Sequence, residues 1–100
     1  MKVLITGANG DIAISIFEIL KREYKGIKIF GSDLKAGYGN LYFKKIFLLP
    51  HASSKNYLKN SRALFKKFDL IVPTTEPEIS FIANNKEKYQ KNLFLKNNKE

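Results

Sequence analysis

The stretch MKVLITGANGDIA, residues 1–13, carries a strand, a tight turn and the start of a helix in succession. Lys2–Thr6 is a short apolar and β-branched run ended by glycine, the pattern of a buried strand. Gly7 and Gly10 then lead into a segment with helical spacing. Glycine tolerates positive φ and lets other groups approach the backbone closely, so GANG reads as a tight turn from strand into helix. The amides of Asp11 to Ala13 sit at the positive end of that helix's dipole and suit a phosphate or carboxylate.

The pattern continues outward from this turn. Asp11 to Tyr24 predicts a helix with Ile12, Ile16, Ile19 and Leu20 as its apolar stripe, Ala13 and Phe17 widening it, and Glu18, Lys21, Arg22 and Glu23 in water. Gly26 is placed to close it. Ile27 to Ser32 reads as a second strand ending at Asp33, and Leu34 to Phe43 as an irregular loop. KKIFLLP gives a third strand stopped by Pro50. Ser53 or Ser54 is the expected cap of a second helix, whose inner face runs through Tyr57, Ser61, Leu64, Phe65 and Phe68. DLIVPTT is the fourth strand. Thr75 and Glu78 make a T-x-x-E capping box around Pro77, opening a helix through Ile79, Ile82 and Ala83 to about Asn85. Asn92 to Leu95 predicts a short fifth strand.

Strand alternating with helix means parallel strands joined by right-handed crossovers, with helices on both faces. The expected fold is therefore α/β: a Rossmann-like three-layer sandwich with a parallel sheet of four to five strands, forming one domain over residues 1–100. A chain of 100 residues with 44% hydrophobic content can build one modest core. No apolar run is long enough to span a bilayer, so a cytoplasmic protein without a membrane partner is expected. The absence of cysteine excludes disulfides and a thiol nucleophile. The formal charge is +9, but sixteen of the eighteen cations are Lys, spread from Lys2 to Lys99. That spread lacks the Arg and interleaved aromatics of a docking stripe, and nucleic acid is not an expected partner.

The spacing Gly7-x-x-Gly10-x-x-Ala13 resembles that of short-chain dehydrogenases and nucleotide-sugar epimerases, and Asp33 falls where such folds keep a ribose-binding acid. Asp33 is thus the candidate cofactor-binding residue. Against NAD(P), the fourth strand runs into VPTTEPEI, where two acids and a proline replace the small residues on which the cofactor lies. Tyr24 and Lys28 match Y-x-x-x-K, but they straddle a helix end and a strand and cannot share a helix face. His51, the sole histidine, lacks companions for a metal site or a triad. Tyr38, Tyr42 and Phe43 are read as packing a loop onto the sheet, and Lys44 and Lys45 as solvated.

Taken in order, MKVLITGANGDIAISIFEILK, GSDL, PHASSKNYL and above all FDLIVPTTEPEI resemble the N-terminal, pre-ATP-grasp domain of ATP-grasp ligases similar to the carbamoyl-phosphate synthase large subunit. The resemblance covers essentially the whole chain. It implies a non-catalytic substrate-cleft domain of an enzyme that phosphorylates a carboxylate with ATP and lets an amine displace the phosphate. ATP and Mg²⁺ would be held by ATP-grasp lobes of the same or a companion chain, not by these residues. It implies a piece of a longer ligase, inactive alone. Gly7, Ala8, Asn9, Gly10 and Asp11 would form one lip of a cleft for a small carboxylate substrate, and Thr74, Thr75, Glu76 and Glu78 the other. Thr75 and Glu78 also serve the capping box, which makes Glu76 the better functional candidate of the pair of glutamates.

Overall fold

The computed structural model describes residues 1–90, the side chain of Tyr38 excepted. The strand expected at Asn92 to Leu95 lies outside the described residues. Four strands, β1 (Lys2–Thr6), β2 (Lys28–Asp33), β3 (Ile46–Leu48) and β4 (Leu70–Val72), form one parallel sheet in the order β3-β2-β1-β4. Between and after them lie α1 (Asp11–Glu23), α2 (Tyr57–Phe65) and α3 (Glu76–Asn84), with short 3-10 turns at Tyr38–Leu41 and Lys86–Lys88. This is the expected α/β, Rossmann-like architecture.

Side-chain alternation along the strands builds two cores. Val3 and Ile5 of β1, Ile29 of β2 and Ile46 of β3 point to the α1 side, where Ala13, Ile16, Phe17 and Leu20 meet them. Leu4, Phe30, Phe47 and Ile71 point the other way, onto Tyr57, Leu64, Phe65 and Ile82 of α2 and α3. Each large side chain buried in this way contributes about 1.5–3 kcal/mol. No helix among the described residues is long and apolar enough to cross a membrane.

Several local details differ from the sequence pattern. In α1 the inward stripe is Ala13, Ile16, Phe17 and Leu20, whereas Ile12 and Ile19 remain 63% and 48% exposed. The small Ala13, fully buried, brings the helix close to the sheet and fixes its rotation; two isoleucines then face outward. Gly26 does not cap α1; Tyr24 does, in extended conformation, and Gly26 takes φ +85° in the following turn. β3 keeps only three residues of the predicted run. Neither Ser53 nor Ser54 caps α2, whose N-cap position is Asn56; the Ser54 Oγ accepts from the Asn56 amide at 3.1 Å, closing the turn ahead of the helix. Phe68 lies beyond α2 yet is buried between Phe30 and Phe47.

Candidate functional site

In a parallel sheet the loops following the strands gather at one edge, and ligands of open α/β folds bind there. Here that edge is built by the β1–α1 turn, Asp33 and Leu34 after β2, Leu49 to Ala52 after β3, and Pro73 to Glu78 after β4. All the residues expected to form the two lips are therefore neighbours of this edge. Their hydrogen bonds separate those held by the fold from those left for a ligand.

The glycine turn is held by its own chain. Gly7 has φ +65°, and a Cβ added to it would lie 2.5 Å from Thr74 Oγ1 and 2.7 Å from Thr75 Cγ2. Thr74 is clasped to the end of β1 twice: its amide donates to Thr6 Oγ1 at 3.1 Å and its hydroxyl to the Thr6 carbonyl at 2.7 Å. The next three amides are also engaged. Ala8 N donates to the Ser32 carbonyl, Asn9 N to Asp33 Oδ2 at 2.9 Å, and Gly10 N to the Gly7 carbonyl. The Asn9 side chain donates to the Lys35 carbonyl and accepts from the Gly39 amide, both at 2.8 Å. The first helical bond runs from Ile14 N to the Gly10 carbonyl, so the amides of Asp11 and Ile12 stand ahead of it with no helical acceptor.

Asp33, the expected ribose ligand, uses both oxygens on backbone donors, Oδ2 on Asn9 and Oδ1 on Leu34 at 2.7 Å. It holds the turn against the end of β2. A carboxylate can accept further bonds, but its orientation is set by these two.

At the start of α3, Thr75 is the N-cap, accepting from the Glu78 amide at 3.4 Å. Glu78 does not reach back to a backbone donor as in the usual capping box. Its Oε1 accepts the Thr75 hydroxyl at 2.8 Å and its Oε2 the Tyr57 hydroxyl at 2.7 Å. Tyr57 is fully buried and its pKa is pushed up, chiefly by burial and then by the facing Glu78 carboxylate. Tyr89 is shifted the same way by burial, opposed by the Ser61 hydroxyl 2.8 Å away. Glu76, by contrast, is exposed and has no bonding partner among the described residues.

Between these elements lies an open cleft of about 110 Å³, bounded by Asp33, Leu34, Leu49, His51, Pro77 and Glu78. His51 Nδ1 accepts from the Ser53 amide at 3.1 Å, which leaves the ring proton on Nε2. No residue pattern places His51 at this edge; the short loop from β3 to α2 brings it beside Asp33. Tyr57 reads in sequence as a core residue, and its tie to Glu78 is likewise hidden there, since the pair is 21 positions apart. Of the aromatic cluster, Phe43 packs into the α1 core against Phe17 at 5.0 Å and Tyr42 remains 40% exposed.

The domain is thus a Rossmann-like α/β unit with a closed glycine turn and a small cleft beside it. No protein-family model matches the chain, and no curated protein matches it in sequence.

Proposed function

We propose that this chain is the substrate-cleft domain of an ATP-dependent carboxylate–amine ligase of the ATP-grasp kind. The observation that carries the reading is the contrast at the strand ends: the turn's amides serve the fold, whereas the adjoining cleft stays open between Asp33, Thr75 and Glu78, and Glu76, outside its lining but next to Thr75 in the chain, is exposed and unengaged. A nucleotide phosphate needs several convergent free amides. Ala8, Asn9 and Gly10 have already given theirs away, so these residues do not fit ATP or its Mg²⁺, and nucleotide chemistry belongs to the lobes. A small substrate carboxylate needs fewer donors, and the Asp11 and Ile12 amides at the start of α1 suit one. Glu76 is the residue for an amine.

The rim supports docking of those lobes. Ile12, Leu34, Leu41 and Leu48 are 63%, 56%, 78% and 66% exposed, and all four lie at the carboxyl ends of the strands or on the loop tied to the turn. Exposed apolar side chains gathered at one edge of a fold mark an interaction surface.

Calorimetric titration tests the reading. ATP–Mg²⁺ and NAD(P) should show no binding to this chain, and carboxylate-dependent ATP turnover should arise only when ATP-grasp lobes encoded with it are added. Micromolar NAD(P) affinity, lost on replacing Gly7 by a bulky residue, would overturn the proposal in favour of a short-chain dehydrogenase or epimerase. That rival draws on the positive φ of Gly7 and on the place of Asp33 at the β2 end.

A further inference from the structure

The cations that look evenly scattered in sequence are not evenly placed in the fold. From Leu34 to Phe68 the chain contains no Asp or Glu and eight Lys or Arg, so nearly all the excess charge comes from this one segment. Lys55, Lys59, Arg62 and Lys66 recur at intervals of three and four residues, which is one face of a helix. The structure bears this out: all four are exposed and line one shallow surface groove along α2 and its flanks. An adjoining groove shares Arg62 and Lys66 and adds Lys88, with Glu87 the single acid between them. None of these five cations pairs with a carboxylate among the described residues.

We propose that this α2 face binds the phosphate backbone of duplex nucleic acid without reading sequence. Three features choose that occupant. The stripe runs the length of α2, nine residues or about 14 Å of helix axis, with Lys55 and Lys66 just beyond its two ends, and duplex DNA carries a negative charge for about every 1.7 Å of its axis, so the stripe spans several phosphates. A docked folded protein would need an apolar anchor at the centre of its interface. Among the described residues the exposed large hydrophobic ones lie between Met1 and Leu48, and none is on α2. Single strands are held by base stacking on exposed aromatics, but Tyr57 and Phe65 of α2 and Tyr89 of the adjoining groove are buried. The inference is independent of the ligase reading, because it uses the outer face of α2 and not the strand-end cleft.

The test is titration of a fluorescent DNA duplex over a range of salt. Neutralising about four phosphates should give a slope of log K against log salt of about −4. The double variant Lys59→Gln/Arg62→Gln should lower that slope by about 2 and weaken low-salt binding by about tenfold or more. Lys28→Gln/Lys44→Gln removes the same charge from a groove on the α1 side and should leave the slope unchanged. Circular dichroism checks that both variants fold. Equal losses in the two variants would reduce the effect to net charge and overturn the proposal. So would absence of binding at low salt, or tighter groove-dependent binding of a poly-glutamate peptide than of the duplex.

Discussion

Thr74 packs its hydroxyl where a side chain on Gly7 would stand, 2.5 Å from the position of a Cβ, while the same hydroxyl holds the Thr6 carbonyl at 2.7 Å. The glycine is thus required twice, by its φ of +65° and by the close approach of Thr74 and Thr75 in the segment after β4. Gly7→Ala is expected to cost about 2–5 kcal/mol, from the left-handed backbone and the forced displacement of Thr74 and Thr75. Gly26→Ala separates the two causes: it also has positive φ, yet nothing lies within 4 Å of its Cβ position. Its cost should be only about 1–2 kcal/mol. Urea denaturation of the two variants measures the difference, and equal losses would mean that packing by Thr74 contributes nothing.

The Tyr57–Glu78 pair predicts an alkaline limit to stability. Burial and the facing carboxylate raise the Tyr57 pKa in the folded protein, and burial raises that of Tyr89. Below about pH 10 both folded and unfolded chains keep these protons. Above it the unfolded chain releases them while the folded chain retains them, so stability falls as pH rises. The slope for Tyr57 alone approaches about 1.4 kcal/mol per pH unit. Tyr57→Phe should be less stable at neutral pH by about 1–2 kcal/mol, because Glu78 loses a donor, but should decline less steeply above about pH 10. Denaturation midpoints at several alkaline pH values decide this; parallel slopes for the two proteins would exclude Tyr57 as the titrating group.

Much of this architecture was legible in the sequence because its signals are local. The run Lys2–Thr6, the turn glycines and the Thr75–Glu78 spacing each act within a few residues, and each gave its element. What was hidden depends on three-dimensional neighbours. Rotation of α1 hinges on which small residue touches the sheet, and Ala13 displaced Ile12 and Ile19 from the predicted stripe. The engagement of Asp33 by the Asn9 amide and of Glu78 by Tyr57 joins residues 24 and 21 positions apart, beyond any periodicity. The basic face of α2 was visible as Lys55, Lys59, Arg62 and Lys66 at helical spacing, but a count over the whole chain dilutes it.

The two glutamates at the start of α3 should separate cleanly. Glu78 holds two hydroxyls, so Glu78→Gln is expected to cost about 1–3 kcal/mol. Glu76 is exposed in the first turn of the same helix, where its charge favours the dipole by about 0.3–1 kcal/mol. Glu76→Gln should therefore barely move the unfolding midpoint. In the ligase assembly proposed above it should instead raise the KM for the amine. A large loss of stability in Glu76→Gln, or unchanged amine kinetics, would remove it from the proposed site.

Asn9 carries the last prediction, since it ties the first turn to the loop between β2 and β3. Its Nδ2 donates to the Lys35 carbonyl and its Oδ1 accepts from the Gly39 amide. That loop contains only one short 3-10 turn, Tyr38–Leu41, so these two bonds are its main polar attachment to the turn after β1. Asn9→Ala should cost about 1–3 kcal/mol and leave the Gly39 amide without its partner. Tryptic cleavage at Lys35 should quicken, and exchange of the Gly39 amide should lose protection, while the amides of β1 stay protected. Asn9→Asp keeps an acceptor for Gly39 but faces the Lys35 carbonyl with a second oxygen, so it should not restore the attachment. Asn40→Ala, an exposed change in the same loop, should stay within about 0.5 kcal/mol of the parent. If Asn9→Ala leaves cleavage at Lys35 unchanged, the loop is held by the packing of Phe43 against Phe17 and not by the asparagine.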